Sequence, residues 1–206
     1  MTRPGSKIFG IGLNKTGTST LGAAGAQLGL RCKTWDTRVF ESAIAHNERD
    51  LLWATIETHD LFEDFPYPLL YREIDARYPD SRFVLTTRRN AEDWLVSLKA
   101  HSMRARPGSL TNTLVYGYRY PHGREAHFID FYERHNADAR AFFKTQPGKF
   151  LEICWEEEAG WERLCGFLGV AAPEGPLPKA NARAGKSVNP LRFAYNLGAR
   201  LLGAPG

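Results

Sequence analysis

Residues Lys7 to Leu21, KIFGIGLNKTGTSTL, constrain this chain more than any other stretch. Ile8, Phe9, Ile11 and Leu13 form a short apolar run without helical spacing, as a buried strand does. Gly12 to Thr20 supply turn chemistry, and the pattern turns helical from Leu21 to Leu28. A strand, a Gly/Thr loop and a helix in that order make an anion site. The first amides of a helix have no intrahelical partner, and the positive end of its dipole faces the loop. Gly17 lets the backbone close around a phosphate-sized group, Thr18 and Ser19 add hydroxyl donors, and Lys15 adds a point charge. The plainer reading is an ordinary strand-to-helix turn with a solvated lysine. A lysine inside a Thr/Ser-rich loop at a helix start favours the phosphate cradle.

Nucleoside triphosphatases place Gly-Lys-Ser/Thr at the helix start, with the hydroxyl on magnesium. Here Lys15 precedes Gly17, and the loop contains no Gly-Lys-Thr. A second unit further on repeats the geometry. Arg82 to Thr87 is a β-rich run, Arg88 and Arg89 follow it, and a helix begins at Asn90 with Ala91, Trp94, Leu95 and Leu98 as its buried stripe. The planar fork of an arginine suits phosphate oxygens, although surface arginines after a strand are common.

Together these stretches resemble the sulfotransferases that use 3′-phosphoadenosine 5′-phosphosulfate, and most of all the small bacterial-type members with a K-x-G-T-x-x-L loop. Lys15 to Leu21 is similar to their 5′-phosphosulfate loop. The resemblance implies donor contacts from Lys15, Thr16, Gly17, Thr18, Ser19 and Thr20. Family members hold the 3′-phosphate with an arginine at a strand end and a serine eight residues on. Arg89 and Ser97 stand at that separation. Family members also carry a catalytic histidine or acid shortly before a proline, and Asp64-Phe65-Pro66 occupies that place, which makes Asp64 the expected base and Lys15 its catalytic companion. On spacing alone, Asp64 reads equally as a cap for the helix that Pro66 opens. Two departures stand out: Arg89-Asn90-Ala91 replaces the frequent Arg-Asn-Pro, and no histidine fills the base position.

The resemblance implies a three-layer, P-loop-like α/β fold with a mostly parallel central sheet flanked by helices. It further implies sulfuryl transfer to an acceptor hydroxyl or amine on a small molecule or carbohydrate, with no metal. A P-loop small-molecule kinase and a nucleotide-binding protein without catalysis are the rival readings.

The rest of the chain sets bounds. At 206 residues one domain is expected, with a core over about 7–182 and a tail helix over about 189–202. A net charge of +4 suits an anionic ligand and is too mild to argue for nucleic acid. Cys32, Cys154 and Cys165 are isolated and lack metal spacing, so reduced thiols in a cytoplasmic protein are expected. No secretory signal and no apolar run of transmembrane length is read. A homodimer is left open.

Leu98 to Glu125 reads as a variable insert facing the acceptor, with five basic residues before its first acid and alternating Tyr116, Tyr118 and Tyr120. A solvated loop with tyrosines packed beneath it is the plainer alternative. Tyr67 to Tyr78 and Ala126 to Lys144 read as helices, Phe150 to Cys154 as a strand, and Gly160 to Leu168 as a short helix closed by Gly169. The closing pattern through Asn181 extends the resemblance. Trp155 to Glu158 reads as a surface acidic turn. Asn189 to Leu202 carries Leu191, Ala194, Leu197 and Leu201 beside Arg192 and Arg200, a pattern for a helix docked on the domain or a partner, or for contact with a membrane surface.

Overall fold

The computed structural model describes residues 6–157, 160–178 and 189–201. Glu158, Asn181 and Leu202, on which sequence expectations ended, lie outside the described residues. The chain falls into two compact units, residues 1–89 with 136–181 and residues 90–135 with 182–206.

The first unit is a five-stranded, wholly parallel sheet: β1 (Ile8–Gly10), β2 (Cys32–Lys33), β3 (Leu61–Phe62), β4 (Arg82–Thr87) and β5 (Phe150–Cys154), in the order β2-β3-β1-β4-β5. The central strand β1 pairs through Phe9 with Phe62 on one side and Phe83 on the other. Its residues are apolar on both faces because helices cover both, which is why its sequence shows no alternation. One face packs Phe9, Phe62, Phe83 and Phe143 against Leu52, Ile56 and Tyr67, and Phe9 stacks on Phe62 at 4.8 Å between ring centres. The other packs Ile8, Leu21, Val84 and Ile153 against Trp161, Leu164 and Leu168.

The helices of this unit are α1 (Thr18–Gln27), α2 (Thr37–Phe40), α3 (Asp50–Thr58) and α4 (Tyr67–Arg77). Asp36 caps α2 by accepting from the amides of Arg38 and Val39. A wide π-turn over Glu41–Ala45 follows α2, and the chain breaks at Asn47, where the left-handed backbone (φ 57°) stops the helical run. The three cysteines are free thiols.

The second unit begins with α5 (Ala91–Ser102), capped by Asn90 accepting from the Asp93 amide, followed by α6 (Thr111–Tyr116) and α7 (Glu125–Phe143). Residue 136 onward of α7 belongs to the first unit, which α8 (Glu162–Leu168) then completes. The second unit has its own aromatic core: Trp94 stacks on Tyr132 at 4.6 Å, and Tyr116 lies 5.1 Å from Phe128. The Leu98–Glu125 stretch is therefore not a bare insert. It includes the end of α5 and all of α6, and Tyr116 and Tyr120 are buried while Tyr118 is exposed. The tail helix α9 (Pro190–Leu201) also belongs to this unit. Among the described residues, no helix is long and apolar enough to cross a membrane.

Candidate active site

In a parallel sheet, the loops that leave the carboxyl ends of the strands all emerge on one edge, where α/β sheets bind ligands. Lys15 follows β1, Asp64 follows its neighbour β3, Arg88 and Arg89 follow β4, and Trp155 and Glu156 follow β5. Strand order thus gathers residues up to 141 positions apart in sequence, from Lys15 to Glu156.

The first loop sorts its side chains by alternation. Thr16, Thr18 and Thr20 are buried, whereas Lys15, Gly17 and Ser19 are partly open. The Thr16 hydroxyl donates to the Leu13 carbonyl at 2.6 Å and lies 2.7 Å from the Thr86 hydroxyl on β4. Gly12 fits only as glycine, since a Cβ there would come 2.1 Å from the Thr86 hydroxyl oxygen. Thr18 bonds inward to Glu63. Helix α1 then starts from Gly17 with no side-chain cap and no acid in its first turn; the Thr20 and Leu21 amides turn back to the Gly17 carbonyl at 2.9 and 3.3 Å, and the positive end of the helix faces the loop.

Backbone strain marks the same place. Among the described residues, only Lys15 (φ 70°), Asn47 and Asp64 (φ 71°) are non-glycine residues in the left-handed region. Two of these three are the expected catalytic pair, and such conformations cost of order 1–3 kcal/mol each. Asp64 does not cap α4. That helix starts at Pro66 without a side-chain cap, and the Asp64 carboxylate accepts from the Phe65 amide at 2.8 Å. Burial raises the pKa of Asp64, while the Phe65 amide and the charge of Lys15 work against that rise. The charge of Lys15 thus acts on Asp64.

Glu63, beside Asp64, is more deeply buried, at 3% exposure. Its pKa is pushed up to about 7, chiefly by burial and then by Asp64, with the Thr18 hydroxyl opposing. One carboxylate oxygen, Oε2, has no hydrogen-bond partner. Gly22 makes room for the Glu63 side chain, because a Cβ there would stand 3.3 Å from its Cγ and Oε1.

At the end of β4, Arg88 binds Glu156 at 2.6 Å, and the Arg89 guanidinium lies 3.8 Å from the same carboxylate, whose oxygen also takes the Arg89 amide at 3.3 Å. The pair already holds an oxyanion, which is the chemistry a phosphate site needs. Arg89 is the more exposed of the two side chains, at 58% against 22%.

A family model described as a sulfotransferase domain matches residues 7–123 and 103–185. The chain belongs to the sulfotransferase family. Its relatives include "Ava biosynthesis cluster protein M" of Aspergillus versicolor, 22% identical over 84% of this chain and 79% of that protein. A sulfotransferase crystal structure from Alicyclobacillus acidocaldarius shares the fold, with a TM-score of 0.53 at 17% identity over 97% of this chain and 96% of that one.

For a sulfotransferase domain, the instructive residues are those the sequence pattern did not single out. Trp155 to Glu157 form the expected surface turn, closed by the Glu157 amide donating to the Cys154 carbonyl at 3.0 Å, and the Trp155 indole also packs on Gly17, where an added Cβ would come 2.4 Å from Cδ1. Gly17 is thus required twice, by its φ of 97° and by this contact. The Trp155 indole N–H is buried and without a partner. Glu156 likewise belongs to the arginine cluster. No spacing in the sequence announces either contact, since both depend on β5 lying beside β4. Ser97 sits half-buried on α5 in the second unit. His59 is committed elsewhere, its Nδ1 lying 2.9 Å from the Thr58 hydroxyl and 3.1 Å from the Thr55 carbonyl. Among the described residues, no three His, Cys, Asp or Glu gather as a metal group.

Proposed function

We propose that this chain, as one sulfotransferase domain, moves a sulfuryl group from 3′-phosphoadenosine 5′-phosphosulfate to a hydroxyl or amine of a small molecule or carbohydrate. The observation that carries the reading is the pairing of an uncapped helix start, in a loop whose lysine is held at positive φ, with a half-buried carboxylate of raised pKa on the neighbouring strand end. A cationic cradle beside a base of raised pKa is what transfer of an anionic group to a neutral nucleophile demands.

The donor supplies an activated sulfuryl group on a phosphate leaving group. Lys15 and the first amides of α1 neutralise charge that builds on the bridging oxygen as the sulfur–oxygen bond lengthens. Asp64, whose basicity is raised by burial, accepts the proton from the attacking hydroxyl or amine. Thr16 and Thr18 keep the loop in shape from beneath, leaving the Ser19 hydroxyl and the Gly17 amide for the 5′ group, while the Thr20 amide donates to the Gly17 carbonyl at 2.9 Å and closes the turn. Arg89, with Ser97 on α5, is assigned the 3′-phosphate, and Arg88 anchors the cluster through Glu156.

Calorimetry with adenosine 3′,5′-bisphosphate, adenosine 5′-monophosphate and ATP, each with and without magnesium, tests the donor assignment. The bisphosphate should bind without magnesium and much more tightly than the monophosphate, because charge-assisted contacts to one phosphate contribute about 1.5–3 kcal/mol each. Equal affinities for the two nucleotides would remove the 3′-phosphate site. Magnesium-dependent preference for ATP would favour a kinase.

A further inference from the structure

Helix α9 is amphipathic with its faces reversed. A surface helix normally turns its apolar stripe to the core. Here the one buried residue is polar: Asn196 is fully buried, donates to the carbonyls of Met103 at 3.1 Å and Ala105 at 3.0 Å, and accepts from the Tyr120 hydroxyl at 2.8 Å. Ala194 and Gly198, two residues to either side of Asn196, lie across the helix from it, and Leu191 and Leu201 follow on that outward side. Leu191 is 80% exposed and Leu201 71%, with Phe193, Tyr195 and Leu197 also exposed. At ~1.5 Å per residue the helix is roughly 18 Å long and its two end leucines stand about 15 Å apart, a length that lies along a bilayer surface and cannot cross one.

The surroundings are cationic. Residues 94–124 and 189–201 contain seven Lys or Arg and no Asp or Glu. Beside the helix, Val96, Met103 and Phe193 form the apolar part of a cleft of about 390 Å³ that is also lined by Lys99, Arg104 and His122. Lys99 is paired with Glu125 at 2.6 Å, and His122 Nδ1 is buried with no hydrogen-bond partner. Phe193 belongs to both the cleft and the helix, so the basic cleft adjoins the apolar face. Two copies joined through this face would bring like charges together, which opposes self-association. An anionic, apolar-cored surface complements both features at once.

We propose that α9 is a membrane-docking helix that seats this unit on an anionic phospholipid bilayer, with its outward leucine face in the acyl boundary and lipid phosphates at the Lys99, Arg104 and His122 cleft. The proposal does not depend on the donor assignment.

Vesicle co-sedimentation tests it, using phosphatidylcholine vesicles with and without 30 mol% phosphatidylglycerol, alongside sedimentation velocity without lipid. The protein should partition at least tenfold better onto the anionic vesicles, and 0.5 M salt should reverse most of that preference. Leu191→Glu with Leu201→Glu should reduce binding tenfold or more with an unchanged melting temperature, since both side chains stand in solvent. Arg104→Ala with His122→Ala should narrow the preference for anionic over neutral vesicles. No binding to the anionic vesicles, equal binding to both kinds, or undiminished binding by the leucine variant overturns the proposal. A dimer that the leucine variant dissolves overturns it in favour of a second copy.

Discussion

Replacing Glu63 by Gln isolates what its buried charge costs the fold. The folded protein holds this carboxyl at a pKa of about 7 against an ordinary 4.5, because burial disfavours the anion. Between those two values the unfolded chain has released its proton while the folded chain keeps it, so wild-type stability falls as pH rises through that window and then levels off. Linkage with these two pKa values gives a loss of roughly 0.8 kcal/mol at pH 5 and roughly 3.3 kcal/mol at pH 8, each relative to strongly acidic solution. Gln keeps the shape, keeps an oxygen for the Thr18 hydroxyl, and cannot ionise. The stability advantage of Glu63→Gln should therefore grow by about 2.5 kcal/mol from pH 5 to pH 8. For a chain of this size that is a melting-temperature gap widening by about 5–10 °C. Thermal unfolding of both proteins followed by circular dichroism at matched pH values measures it. A gap that stays flat with pH, or a variant that is the less stable at pH 8, would show that Glu63 is ionised in the fold without penalty.

Four further outcomes are expected. Asp64→Asn should leave bisphosphate binding near normal and slow turnover by roughly 10²–10⁴-fold, while Glu63→Gln remains active; the opposite pattern would move the base by one residue. Lys15→Ala should lower kcat more than it weakens bisphosphate binding, since its charge acts most as the leaving oxygen gains charge; steady-state kinetics beside calorimetry separate the two, and a variant that binds poorly yet turns over normally at saturation would leave Lys15 only a positioning role. Gly17→Ala should destabilise the fold by ~1–3 kcal/mol and abolish nucleotide binding, because both its φ and the Trp155 contact reject a Cβ; adding Trp155→Ala should restore part of the stability, and a fully stable Gly17→Ala protein would refute the contact. Arg89→Ala should erase the preference for the 3′-phosphate, measured by calorimetry, and Arg88→Ala should do less.

Much of the fold was readable from local pattern. The strands at Arg82–Thr87 and Phe150–Cys154 have the expected bounds, since each is a β-rich run with a clean polar end. Two-residue β3 was harder, because Leu61 and Phe62 between polar neighbours carry no periodicity, and only the pairing with β1 makes them a strand. At the site, the loop from Lys15 to Thr20 was legible through its glycine and its helix. The inward turn of Thr16 and Thr18 was not, because it depends on Thr86 and Glu63. Trp155 and Glu156 were hidden for the same reason. In α9 the spacing of the leucines announced a stripe, but a stripe has no sign, and only Asn196 in contact with Met103 and Ala105 tells which way it faces.

The bond between Thr16 and Thr86, 70 residues apart, means that the anion loop is not autonomous. Its curvature is written partly in β4, so a peptide spanning Lys7 to Leu28 would contain every donor and still lack the shape. The hydroxyl pair works as a template: the sheet must be assembled before the loop exists, and once assembled the loop has little ordering left to do when a ligand arrives. Transplanting the glycine-and-threonine loop into another parallel sheet would then require a hydroxyl on the adjoining strand as well. Thr86→Val, a change near the carboxyl end of a buried strand, would alter the shape of the anion loop without lying in it.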